Sequence, residues 1–114
     1  MKTKTFDLKA IVAGAMFFCI VITFSSCKKD NPGADQVWMQ NMAFNPATLT
    51  ISNGSTVTWT NKDNMTHNVT SDSGVFISGN IAPGGTFSYH FTSTGKYPYR
   101  CTIHAGMTAT IIVQ

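Results

Sequence analysis

From residue 36 onward, apolar and polar positions alternate in short runs. Residues 55–60, Ser-Thr-Val-Thr-Trp-Thr, set Val57 and Trp59 on one side and the threonines on the other. Thr86 to Thr92 repeats the arrangement, with Phe87, Tyr89 and Phe91 facing together. Tyr97, Tyr99 and Cys101 share a parity, which turns the thiol inward with two aromatic rings. A period of two carried by β-branched and aromatic residues predicts half-buried antiparallel strands. Asn53-Gly54, Ser73-Gly74, Pro83-Gly84-Gly85 and Thr94-Gly95 supply turn chemistry between these runs. Further strands are expected near 36–42, 47–52, 67–71, 75–78 and 108–113. Short strands at regular intervals, with no helical period after residue 35, predict an all-β fold: one small β-sandwich domain.

The N-terminal segment has a different pattern. Lys2, Lys4 and Lys9 precede a run without charge from Ala10 to Ser26, which ends in Ser25-Ser26-Cys27. A basic start, an apolar stretch and small residues at the end make a secretory signal. Small residues directly before a cysteine resemble the lipobox of bacterial lipoproteins, with Phe24 where leucine is usual. The expected organisation is a lipoprotein signal peptide over 1–26, lipidated Cys27 with a flexible linker over 27–35, and the folded domain over 36–114. An uncleaved anchor ranks second, because the run falls short of the roughly 20 apolar residues that span a bilayer. Lys28 to Asp35 is polar, contains Pro32 and Gly33, and reads as a tether. The domain is therefore placed outside the cytoplasm, lipid-anchored to a bacterial membrane and facing the periplasm or the cell surface.

Cysteine use fits this division. Of three cysteines, Cys19 lies within the apolar stretch and leaves with the signal, and lipid takes Cys27. Cys101 remains without a partner for a disulfide, and an exported chain with an unpaired thiol calls for another use of it. Formal charge is +3 for the whole chain. It falls to about +1 once Lys2, Lys4, Asp7 and Lys9 are removed. Lys62, Lys96, Arg100, Asp63 and Asp72 are scattered, so neither nucleic acid nor a strongly charged docking patch is expected. A monomer is expected.

The C-terminal run supplies that use. Cys101-Thr102-Ile103-His104-Ala105-Gly106-Met107 is C-x2-H-x2-M, with His67 upstream. One thiolate, two imidazoles and a thioether are the ligand set of a blue-copper site with a weak axial methionine. Such a set serves both copper(I) and copper(II), which suits one-electron transfer. Zinc is the main inorganic rival, but its structural sites take four Cys or His ligands. The strand pattern makes Cys101 close one strand, sets Met107 before the last, and brings His67 from a separate loop at the same end. His90 falls on the solvent side of its strand, away from any metal. With no second histidine-rich site, a copper enzyme such as a nitrite reductase is not expected. Met39 reads as core filler, while Met42 and Met65 are open between core and an apolar collar around the site. Arg100, opposite in parity to Cys101, is expected in solvent.

Several segments together resemble the cupredoxins of the plastocyanin, pseudoazurin and amicyanin group. They are Val57-Thr58-Trp59-Thr60-Asn61, His67-Asn68-Val69, Ala82-Pro83-Gly84-Gly85-Thr86-Phe87 and Tyr97-Pro98-Tyr99-Arg100-Cys101. The resemblance covers about residues 36–114, and the two-residue gap between His104 and Met107 is similar to amicyanin. It implies a Greek-key β-sandwich, with His67, Cys101, His104 and Met107 as ligands of one type 1 copper. Asn68 would tie the His67 loop to the cysteine loop. Redox proteins such as a cytochrome, an oxidase or a reductase are the implied partners. Ile103 departs from the proline common in the family, which leaves an N–H available for one more hydrogen bond near the sulfur. The alternative function is an extracytoplasmic carrier that holds copper and hands it on.

Overall fold

The computed structural model describes residues 31–114. The signal segment over 1–26 and Cys27 lie outside the described residues. Eight strands follow one another: β1 (Gln36–Gln40), β2 (Ala43–Asn45), β3 (Thr48–Ile51), β4 (Thr56–Asn61), β5 (Thr70–Ser71), β6 (Thr86–His90), β7 (Gly95–Arg100) and β8 (Thr108–Val113). They form two four-stranded sheets, ordered β2-β1-β4-β6 and β3-β8-β7-β5. The architecture is an all-β sandwich, as the alternation of residues predicts, with the Greek-key topology that the family resemblance implies.

Alternation fixes which face each strand buries. Val37 and Met39 from β1, Val57 and Trp59 from β4, Tyr99 from β7 and Ile111 and Val113 from β8 fill the space between the sheets. Trp59 is fully enclosed, with Phe76, Phe87 and Tyr99 at ring-centroid distances of 5.6, 5.6 and 5.5 Å. Aromatic pairs at such distances add ~0.5–1.5 kcal/mol each beyond simple burial. Met39 is core filler, as expected, whereas Met42 and Met65 are exposed. His90 is exposed on β6 and bonds Thr56 Oγ1 through Nδ1 at 3.2 Å.

Three expectations change. Not every pair is antiparallel, because β1 runs parallel to β4 and β3 runs parallel to β8. Parallel neighbours require a crossover, and here the intervening chain passes through the opposite sheet before returning. The expected strand over 36–42 ends at Gln40, where Asn41 and Met42 turn with φ of 57° and 60°. Positive φ at both central residues makes the tight two-residue hairpin turn whose twist matches the flanking strands. The expected strands over 67–71 and 75–78 shrink to β5 and two isolated bridges, His67 with Ile81 and Thr70 with Ile77. Side chains interrupt the ladder there: Ser78 Oγ accepts the Val69 N–H at 2.8 Å.

Candidate metal centre

One end of the sandwich gathers the chemically active side chains. Cys101 follows directly on β7 and is 2% exposed. Its backbone N–H donates to Met107 O at 3.0 Å, and the Met107 N–H donates to His104 O at 3.4 Å. These bonds close residues 101–107 into a compact loop between β7 and β8, with Gly106 taking φ of 85° in the turn. Cys101 thus faces inward, Met107 is buried at 3% exposure, and His104 stays half-buried at the rim. His67 arrives from the β4–β5 connection, pinned to Ile81 by backbone hydrogen bonds of 3.2 and 2.7 Å, and is fully enclosed.

The donor atoms converge. Cys101 Sγ lies 3.9 Å from His67 Nδ1 and 3.6 Å from His104 Nδ1, and the two nitrogens are 3.1 Å apart. Ligand atoms on one ion, at ~2.0 Å for nitrogen and ~2.3 Å for sulfur, stand ~3.5–3.7 Å apart when the bonds open toward 120°. The observed spacings bracket that range. A thiolate and two ring nitrogens crowded into an enclosed site repel one another unless protons or a cation lie between them. The donor set therefore fits a soft-to-borderline metal ion.

Neighbouring bonds hold the donors in place. Asn68 N–H donates to Cys101 Sγ at 3.4 Å. The Asn68 side chain spans the two loops, donating from Nδ2 to Thr102 Oγ1 at 2.8 Å and accepting the Thr102 N–H at 3.0 Å. Among the described residues, Ile103 adds no hydrogen bond to the sulfur, and its side chain points outward at 46% exposure. Arg100 is in solvent, as expected, and pairs with Asp72 across β5 and β7.

Asp63 is the participant that sequence reasoning missed, grouping it with scattered surface charges. Its Oδ2 takes a hydrogen bond from His67 Nε2 at 2.8 Å and from the Met42 N–H at 3.0 Å, and its Oδ1 takes the Asn41 N–H at 2.7 Å. Partial burial pushes its carboxyl up, but the His67 bond and the Met42 and Asn41 amides more than offset this and hold it below its ordinary value. A usable signal was present: an acid four residues before the lone upstream histidine.

Residues 33–114 match the family model described as copper binding proteins, plastocyanin/azurin family. The chain belongs to the plastocyanin/azurin family. Amicyanin-alpha of Methylorubrum extorquens is 32% identical over 87 residues, covering 72% of this chain and 73% of that protein. Chloroplastic plastocyanin of Tetradesmus obliquus is 36% identical over 86 residues, covering 64% of this chain and 59% of its relative's length. Among solved structures, the oxidized state of a proline-to-alanine mutant of amicyanin superposes with a TM-score of 0.67 at 32% identity, over 72% of this chain and 83% of that one. A purple cupredoxin from Nitrosopumilus maritimus gives 0.65 at 29% identity, over 72% of this chain and all of the other. Family membership and the His-Cys-His cluster together make this a cupredoxin site for one type 1 copper.

Proposed function

We propose that this protein carries single electrons through a type 1 copper held by His67, Cys101, His104 and Met107. The observation that carries the reading is the convergence of one sulfur and two Nδ1 atoms within 4.8 Å of one another at the buried end of the sandwich. Copper bound there supplies one-electron chemistry by alternating between its +1 and +2 states. Cys101 would offer the metal a thiolate and Met107 a more weakly binding thioether. His67 is the interior imidazole, and His104 is the one whose ring reaches the rim. The packed loops hold these side chains in one arrangement, so little needs to move when the charge changes.

Enclosure of His67 and Cys101 favours retention of the metal over hand-on, which supports an electron carrier over a copper-delivery protein. We read the chain as a carrier and not an enzyme. A copper-containing nitrite reductase from Thermus scotoductus is a structural neighbour, but the match covers 24% of that chain. We further assign residues 1–26 to a lipoprotein signal, Cys27 to lipidation, 28–35 to the tether and 36–114 to the electron-carrying domain. The domain would then work outside the cytoplasm beside a bacterial membrane, exchanging electrons with a redox protein held or delivered there.

The test is colour. The protein purified from a bacterial host should bind one copper(II) and absorb strongly in the visible, since a short copper–thiolate bond gives an intense charge-transfer band. Cys101→Ser should abolish the band, and His67→Ala should weaken or displace it. A native protein whose copper(II) form is nearly colourless, with an ordinary tetragonal spectrum, would overturn the assignment.

A further inference from the structure

Asp63 lies behind the metal centre, on the side of the His67 ring opposite Nδ1. A neutral imidazole has one N–H and one bare nitrogen, and which is which follows from the partner of each. The carboxylate accepts at Nε2, so the proton sits there and Nδ1 is left with a lone pair directed at Cys101 Sγ and His104 Nδ1. The acid is itself firmly held. The Asn41 and Met42 amides bind one oxygen each, and Asn61 Oδ1 accepts the Asp63 N–H at 3.0 Å. Asn61 is in turn fixed by bonds from Nδ2 to Met65 O and Ile81 O at 2.8 and 2.9 Å. The Asp63 side chain is 14% exposed, so water screens its charge only weakly.

Resting on the copper reading above, we propose that Asp63 is a positioning residue that locks His67 with Nδ1 toward the metal and lowers the reduction potential. The sign follows from charge. A fixed carboxylate hydrogen-bonded to a ligand raises that ligand's basicity. It therefore favours the more highly charged copper(II) over copper(I). The same oxygen that holds His67 also holds the Met42 amide, so the β1–β2 turn and the metal ligand share one anchor. A purely structural role, in which Asp63 serves only the turn, predicts no effect on the potential.

Two measurements on the full chain decide the matter. In the copper-free native protein, nitrogen-15 NMR should find the His67 ring proton on Nε2, shifted to low field by the carboxylate. In the copper-loaded protein, Asp63→Asn removes the charge with little change of shape. It should weaken copper(II) binding relative to copper(I) by at least tenfold, raising the potential by about 59 mV per tenfold for one electron. A ring proton on Nδ1 overturns the proposal without requiring any variant to fold. A variant that melts at a lower temperature yet keeps the native potential overturns it as well. If the native chain gives no blue copper form, the electron-transfer reading falls, while the ring proton still decides what Asp63 does to His67.

Discussion

Asn68 and Thr102 are joined twice, side-chain amide to hydroxyl at 2.8 Å and backbone N–H to side-chain carbonyl at 3.0 Å. The pair bridges the loop that presents His67 and the loop that begins at Cys101, so the two halves of the metal centre cannot drift apart independently. Asn68→Ala should cost ~1–3 kcal/mol of folding stability, because it removes two part-buried hydrogen bonds worth ~0.5–1.5 kcal/mol each. It should also weaken copper binding by about 10–100-fold. Urea unfolding of the copper-free form and a competition titration with a copper chelator measure the two effects separately.

Tyr99 offers a test of the core. Its hydroxyl and the Trp59 Nε1 are buried without hydrogen-bond partners. Burial pushes the phenol far above its ordinary value, and the Trp59 indole offsets this only in part. The neutral form is thus favoured by folding. Its contribution to stability is complete below the unfolded phenol's pKa of about 10 and is lost as pH climbs from there toward the folded value. Tyr99→Phe should be neutral or up to ~1 kcal/mol more stable at pH 8, because it removes an unsatisfied buried hydroxyl. Its margin over the native protein should widen above pH 10, which denaturant titrations at pH 8 and pH 11 will show.

Electron exchange should pass through the rim at His104. Ala105 and Gly106 are exposed and small, leaving the half-buried imidazole open to close approach. Ala105→Trp should slow electron self-exchange between two copies by about tenfold or more, equivalent to ~1.4 kcal/mol of lost docking. Colour and potential should remain native. Line broadening in mixtures of the reduced and oxidised protein reads the rate, and an unchanged rate would place the port elsewhere.

The membrane tether rests on Cys27. A bacterial host expressing the full chain should incorporate labelled fatty acid and retain the protein with its membranes, and Cys27→Ala should lose the label. Stable attachment requires two lipid signals or more. A mature chain whose mass shows an unmodified Cys27 would remove the anchor.

Much of the fold was legible because alternation is a local property. Val57 with Trp59, and Tyr99 with Cys101, declared their inner face from parity alone. The His67, Cys101 and His104 cluster was legible because Cys101 and His104 sit three residues apart, with Met107, the proposed fourth ligand, three further on. The turn at Asn41-Met42 was not, since it adopts positive φ twice without a glycine to mark it. Asp63 makes that turn possible by binding both of its amides, and the partnership spans 21 and 22 residues. The parallel pairings escaped for a related reason: which strand lies beside which is decided by packing across the whole domain. The expected strands over 67–71 and 75–78 reduce to Thr70–Ser71 and isolated bridges, because Ser78 Oγ takes the Val69 N–H that a ladder would use.

The strand made last in this order, Thr108–Val113, stands inside its sheet between β3 and β7. Without it, β3 has no paired neighbour in the sheet and the metal loop has no second support. Loosening that one strand would therefore strip β3 of its ladder, free one edge of β7 and release the C-terminal end of the metal loop together. One strand thus couples the closing of the second sheet to the shaping of the metal loop, so the site and that sheet form or fail as a unit.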